Sequence, residues 1–408
     1  MAIKKIMIIG NWELCLSILN ALKSTPGNQP HSNLQLSILT NPSQWLRLPP
    51  QFPTDAVSHQ KSDFSLASLE SALAGQDLVI STTAGGDSDQ QIRIVDAAIA
   101  AGVRRFMPHE FGHDTLNMGI SSRILKSAGR AKVIEHLQTA SRNTADFEWV
   151  GVATGYTLDT GLISGNMGLD MEWHSATIHG IGTETFAASS LQRVGQVVAR
   201  VIDHWHEVAN QYIYAAGVLT SANEVLRSAE KATQREFTVG NYDVEDCIKE
   251  GEARIQRGYP DTGMFLLERS ILYDEELDAA EPFKTSSINR LLQLEPESVE
   301  TIVANAYHDL RHHGKPGCGC SSDTNTTMPH PNRRLRIDTR TQPIDPLEQR
   351  FSSPSLVPGM GIMSLLSMLL NIEEKSYDQQ FSPRRASFPR SNYPRIVITP
   401  ATESSIAT

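Results

Sequence analysis

Apolar positions over the first 155 residues fall into two kinds of run that alternate along the chain. Short stretches with strand character occur at 6–9, 77–82, 104–108 and 149–153, and at 34–40, where apolar and polar residues alternate. Between them, apolar residues recur at helical spacing, as at Leu14, Ile18, Leu19 and Leu22. The first kind suits strands, the second amphipathic helices. Helices are predicted at 14–22, from Ser65 onward, at 90–101 and at 127–142. Asp63-Phe64-Ser65 opens the second with a cap, and Gly102 stops the third. Strands separated by helices imply right-handed crossovers and a parallel sheet covered on both faces. The expected fold class is α/β, with a doubly wound parallel sheet over 1–155.

Ligands of such sheets sit beyond the carboxyl ends of the strands. Those ends read Ile9-Gly10-Asn11, Thr40-Asn41, Ser81 to Gly86, Pro108 to Gly112 and Thr154 to Thr157.

Composition divides the chain near residue 310. Residues 311–408 hold 12 Lys/Arg against 8 Asp/Glu and 11 of the 21 prolines. Residues 1–310 hold 24 against 38. A stretch rich in Pro, Ser, Thr, Asn and Arg buries too little apolar surface to offset its ordering entropy, so 311–408 is expected to be a low-complexity disordered tail. Within it, 355–372 is apolar but too short to span a bilayer, and reads either as a docking helix or as a sticky segment. The tail is thus where a protein partner would attach, unless it is translated non-coding sequence. A net charge of −10 argues against direct nucleic-acid binding. Four cysteines exclude a disulfide scaffold and suit a reducing compartment. The apolar run after Lys4-Lys5 stops at Gly10, too short for a signal sequence. A cytoplasmic protein without membrane spans is expected.

Several separate blocks resemble one family. The run VDAAIAAGVRRFMPHEFG (95–112) is similar to the helix–strand unit of the NmrA-like and isoflavone reductase-like branch of the atypical short-chain dehydrogenases. In that branch the turn reads Pro-Ser-Glu-Phe-Gly, and here His109 stands in the Ser position. The blocks GYTLDTGL (155–162), ATIHGIGTETF (176–186), GQVVARVI (195–202) and 210–237 resemble fungal members. The resemblance spans about 4–310. It implies a Rossmann domain (1–155), a small substrate-binding lobe (156–310) and later sheet strands near Gln211–Ala215. The implied activity is NADPH-dependent reduction of a small organic substrate, aromatic or from secondary metabolism. A minority of relatives are non-catalytic nicotinamide sensors that regulate through protein partners.

The resemblance also assigns residues. Gly10, Asn11 and Trp12 fall on the phosphate loop. Asn41 and Arg47 follow the second strand, where relatives place an Arg for the 2′-phosphate. Thr82, Gly85 and Gly86 end the next strand. Pro108, Glu110 and Phe111 form the turn under the nicotinamide, and Thr154 and Tyr156 line the cleft. NADP is the expected cofactor. NAD is less favoured, because no acidic residue at 40–44 could bind a ribose hydroxyl.

Two motifs depart from the family pattern. Its loop is G-x-x-G-x-x-G, but Glu13 and Leu16 occupy the second and third glycine positions. A carboxylate about 4 Å from a phosphate would cost roughly 4 kcal/mol per charge pair at a dielectric near 20. Matching Arg130-Ala131-Lys132-Val133 to the family's Lys-Ala-Lys-Ile places Arg130 on the catalytic Lys. An arginine orients an oxygen but does not give up its proton. Lys126, one turn earlier, and His109, with an ordinary pKa near 6.5, are the alternative donors. Asp159 either lines the cleft or caps a helix. His312-His313 with Cys318 and Cys320 lacks metal-site spacing, so no metal is expected. Arg384-Arg385-Ala386-Ser387 has the shape of a basic-directed phosphorylation site.

Overall fold

The computed structural model describes residues 2–23, 34–48, 52–53, 55–83 and 87–312. The tail positions singled out above, from His313 to Ser387, lie outside the described residues, as do Gly85 and Gly86.

Seven parallel strands form the central sheet. They are β1 (Lys5–Ile9), β2 (Gln35–Thr40), β3 (Val57–Lys61), β4 (Leu78–Ser81), β5 (Arg105–Met107), β6 (Glu148–Ala153) and a last strand, Gln211–Tyr214. Their spatial order is β3-β2-β1-β4-β5-β6 and then Gln211–Tyr214, so the strand order reverses between β1 and β4. This is a Rossmann-like, doubly wound sheet. The side-chain period of two divides each strand between two cores. Ile6, Ile8, Leu78 and Ile80 pack with α1 (Glu13–Lys23) and with helix Leu191–Asp203 on one face. Met7, Ile9, Val79, Phe106 and Trp149 pack on the other, under α2 (Leu66–Leu73), α3 (Ser88–Ala100) and α5 (Leu125–Asn143). A short helix, α4 (Met118–Arg123), precedes α5.

The strand β3 had no apolar signature. Its sequence VSHQK sits at the sheet edge, with only Val57 buried, so period and hydrophobicity both fail there. The start of α2 also differs from the expectation. Ser65 is its N-cap residue but makes no side-chain cap bond. The Asp63 carboxylate instead accepts from the Ser65 N–H and hydroxyl.

After β6 the chain builds two three-stranded sheets. One holds Tyr156–Thr157, Phe186–Ser189 and Val218–Thr220, and the other holds Leu169–Asp170, Ser175–His179 and Thr238–Tyr242. A separate core of Leu158, Leu162, Phe186, Val225 and Ile302 unites them with α6 (Leu158–Ile163) and the helices Ala222–Thr233 and Val299–His312. This lobe stands against the carboxyl ends of β5 and β6, where the residues of interest converge. Among the described residues, no helix is long and apolar enough to cross a membrane.

Candidate active site

The crevice between β1 and β4 begins at Gly10. Its φ of +122° is one that L side chains rarely adopt, and a Cβ there would meet Thr82 Oγ1. Thr82 is buried, and its hydroxyl donates to the Ile9 carbonyl at 2.9 Å. Beyond Gly10, Asn11 is nearly inaccessible and bridges two loops. Its amide donates to the Trp45 carbonyl, and its Oδ1 accepts from the Arg47 N–H at 2.9 Å. Asn41 turns the chain after β2 by accepting from the Ser43 N–H and hydroxyl. Arg47 stacks 5.9 Å from the Trp12 ring centroid and pairs with Glu13 at 3.5 Å. The Glu13 charge is thus partly offset, which reduces the repulsion expected from the sequence. Both partners are more than half exposed, so the pair itself contributes little stability.

The second glycine replacement also has an explanation in packing. Helix α1 is approached by helix Leu191–Asp203, and a Cβ on Gly195 would meet the Ser17 carbonyl at 2.4 Å. The small residue that permits close helix contact is therefore Gly195, on the facing helix, while Leu16 lies partly buried against the core.

The turn after β5 carries a dense cluster. Glu110 is almost fully buried, and its Oε2 accepts from Thr115 Oγ1 at 2.6 Å and from the Tyr212 hydroxyl at 3.3 Å. Burial pushes its carboxyl up to about 7, opposed by the Arg130 charge. His109 packs edge-on against Phe111 at 6.0 Å, and its buried Nδ1 has no hydrogen-bond partner among the described residues. Burial, then the Arg130 charge, pulls its pKa down to about 3. The imidazole is neutral at pH 7 and not the ready imidazolium acid that its ordinary pKa suggested. His113 is lowered to about 3 for the same reasons, with its Nε2 2.5 Å from Ser127 Oγ. Asp114 is raised by burial and accepts from the Tyr214 hydroxyl at 3.2 Å.

Arg130 lies one turn after Lys126 in α5, and it lines two cavities. The smaller, about 10 Å³, is shared with Thr83, Gln91, Pro108, His109 and Glu110. The larger, about 230 Å³, lies between the turn Phe111–His113, the β6 end at Gly155-Tyr156, α6, Phe186, Phe283 and Glu268 of helix Pro260–Ser270. Lys126 is exposed and does not line either cavity. Thr154 is buried beside this wall, and its backbone N–H donates to the Gly112 carbonyl at 2.9 Å. Asp159 is not part of the cavity. Its carboxylate accepts from Leu191 N–H, bracing the next helix.

Sequence reasoning thus named Arg130, His109, Glu110, Phe111 and Tyr156, which come together, and Gly10, Asn11, Trp12 and Arg47, which form a second group at β1. It missed His113 and Glu268. His113 follows the resembling block directly, so its position at a strand end was a usable signal. Glu268 sits in an ordinary amphipathic helix some 140 positions after Arg130, and nothing local marks it.

Residues 57–303 match the NmrA-like family, more than half of the chain. The chain belongs to that family. Oxidoreductase poxI of Penicillium oxalicum is 29% identical over 249 residues, covering 60% of this chain and 78% of its own. Oxidoreductase aprR of Aspergillus flavus is 30% identical over 259 residues, with 62% and 85% covered. Among solved structures, AtPrR2 with NADP+ and (+)pinoresinol aligns at a TM-score of 0.58 with 16% identity, covering 75% of this chain and 99% of that one. An isoflavone reductase aligns at 0.56 with 16% identity, covering 75% and 100%. These structural likenesses establish the fold. The family expected from the blocks at 95–112 and 155–162 is therefore the one found.

Proposed function

We propose that this protein is an NADPH-dependent reductase of a small organic molecule held in the 230 Å³ cavity. The observation that carries the reading is Arg130, a permanent cation turned toward both cavities at the carboxyl ends of β5 and β6. Both curated relatives described above are named oxidoreductases. A dinucleotide fits the crevice on three counts. Gly10, at a φ of +122°, turns the chain tightly out of β1, the free N–H groups at the start of α1 suit a phosphate, and Arg47 supplies a cation beyond β2. Asn11, Trp12, Asn41 and Thr82 would border it, with Pro108, Glu110 and Phe111 at the nicotinamide end and Thr154 and Tyr156 beside the substrate.

A reduced nicotinamide supplies hydride. Arg130 orients the substrate oxygen and stabilises the negative charge that develops on it. Glu110, with its carboxyl near pH 7, holds an exchangeable proton at the small cavity that Arg130 also lines. The aromatic walls exclude water. NADP is favoured over NAD, since Arg47 is cationic and the β2 end carries no acid.

Calorimetric titration of the full chain with NADPH, NADH, NADP and NAD tests this. Micromolar binding of a reduced form is expected. Absence of binding by all four at millimolar concentration would sink the reading. Glu13→Gln should tighten NADPH binding about fivefold, because roughly 1 kcal/mol of repulsion disappears while the Arg47 charge is freed. Unchanged or weaker binding in Glu13→Gln would mean that the phosphate does not approach the start of α1.

A second reading has its own support. Arg130 gives up no proton, and both neighbouring histidines are neutral, which suits a non-catalytic sensor that binds nicotinamide and acts through protein partners. Arg130→Lys separates the two. A reductase limited by its proton donor gains turnover in that variant, whereas a sensor binds cofactor without turnover in either form.

A further inference from the structure

An edge strand offers unpaired N–H and C=O groups, and natural sheets blunt it with charge, proline, bulges or short length. In the main sheet, β3 ends on Lys61, and the strand at the opposite edge is bridged at Tyr214 by Ser287. In the second lobe, Tyr156–Thr157 and Leu169–Asp170 are two residues long and Val218–Thr220 is three. Strand Thr238–Tyr242 has none of these devices. It lies at the edge of its sheet and pairs in unbroken parallel register with Ser175–His179. Its sequence, Thr-Val-Gly-Asn-Tyr, has no charge and no proline, and all but Gly240 are exposed.

In a parallel ladder, alternate residues of a strand bond to the same neighbour. Thr238 N–H donates to the His174 carbonyl at 2.9 Å, and the Tyr242 carbonyl accepts from Gly180 N–H at 2.8 Å. Thr238, Gly240 and Tyr242 therefore serve strand Ser175–His179. The N–H and C=O groups of Val239 and Asn241 turn outward, and among the described residues no strand pairs with them. Large apolar side chains surround this edge. Val239 and Tyr242 are exposed on it, and Trp173 and Ile181 are exposed beside His174 and Gly180, at its two ends. Such an apolar rim marks an interaction site.

The occupant this edge fits is the same edge of a second copy. The residues before the strand, Arg235 and Glu236, are exposed and cancel in charge, while exposed Asp243, Glu245 and Asp246 follow it. A parallel partner would set acids against acids. An antiparallel one sets the acidic end of each copy beside Arg235 of the other. Gly240 stands at the centre of the strand, and a glycine there suits close approach by another backbone. We propose that Thr238–Tyr242 pairs antiparallel with itself across a two-fold axis at Gly240, making the protein a homodimer with one sheet continuous through both second lobes. Val239 of each copy then exchanges backbone hydrogen bonds with Asn241 of the other. The Tyr242 ring lies over Gly240, where a Cβ would come within 3.0 Å of it, so the two tyrosines cover the facing glycines. Both open edges are used, so the assembly closes at two copies. The pairing does not depend on what occupies the larger cavity.

Sedimentation equilibrium of the full chain tests for the dimer, and cysteine cross-linking tests the register. The unaltered protein should show twice the chain mass, dissociating on dilution. Val239→Lys sets a cation against the facing strand and should weaken dimerisation at least about tenfold. In Gly240→Cys, the two Cys residues would face each other with α-carbons about 4.5 Å apart, and should form an intermolecular disulfide under mild oxidation, located by peptide mass mapping. Asn241→Cys should not, because its two α-carbons would lie about 8 Å apart, beyond the reach of a disulfide. The cross-linking contrast stands even if Val239→Lys does not fold. A monomer at every concentration up to about 100 μM overturns the proposal. So does a dimer that Val239→Lys leaves unchanged, or cross-linking as fast at position 241 as at 240.

Discussion

Gly155→Ala is expected to lower the unfolding free energy by about 3 kcal/mol or more, whereas Gly75→Ala should lower it by only about 1 kcal/mol. The two glycines share nearly the same backbone conformation, with φ of +74° and +77°. The strain of placing an alanine in the left-handed region is therefore common to both. They differ in surroundings. A Cβ on Gly75 meets nothing within 4 Å, but one on Gly155 would lie 2.5 Å from the Ala187 carbonyl oxygen and 2.9 Å from the Ala188 nitrogen. Both are backbone atoms of a paired strand and cannot swing aside. Relief requires strand Phe186–Ser189 to move away from β6, which opens the wall formed by Tyr156 and Phe186. Equal destabilisation of the two variants, read as urea midpoints, would show that the close approach at Gly155 is relaxed in solution.

That contact also explains how the second lobe is tied to the sheet. Ser189 Oγ donates to the Thr154 carbonyl at 2.6 Å and accepts from the Gly217 N–H at 2.8 Å. Gly155 N–H donates to the Gly112 carbonyl at 2.9 Å, joining the β6 end to the turn after β5. The walls of the cavity are thus fixed by backbone bonds between elements far apart in sequence.

The legible part of this architecture was the part where one physical signal dominates. Strands β1, β4 and β6 are buried on both faces, and their unbroken apolar runs announce them. The edge strand β3 carries no such run. Its register is set by pairing with β2, and that information lies in another segment. The site divides in the same way. Gly10, Pro108, Glu110 and Phe111 lie at strand ends, where topology alone points to ligands. The compensation of Glu13 by Arg47, and of Leu16 by Gly195, joins residues distant in sequence. A one-position reading of the damaged loop sees only the loss. The same limit applies to His109. Its ordinary pKa is a property of the residue, while its lowered value belongs to the enclosure and to Arg130.

That enclosure should also shape stability against pH. His109 and His113 titrate near 6.5 when unfolded and near 3 when folded. Their contribution is complete above about pH 6.5 and is lost as pH falls toward 3, because the unfolded chain takes up protons that the native state refuses. Glu110 acts with the opposite sign. Its folded pKa of about 7 exceeds the ordinary 4.5, so its contribution is complete below 4.5 and is lost as pH rises through 7. Asp114, Asp159 and Glu268 are raised by burial and add to that alkaline loss. The two trends oppose each other between about pH 4.5 and 7, and the stability maximum falls inside that window. Below about pH 4.5 the histidines act without opposition from Glu110, and the slope reaches at most ~2.7 kcal/mol per pH unit. Urea midpoints of the full chain from pH 4 to 8 check this. His109→Gln should remove about half of the acid slope, and His109→Gln with His113→Gln nearly all of it. Glu110→Gln should flatten the alkaline side and leave the acid side intact. An acid slope unchanged in the double histidine variant would mean that water reaches both imidazoles in the native state, and that Arg130 and the turn after β5 are more open than their packing indicates.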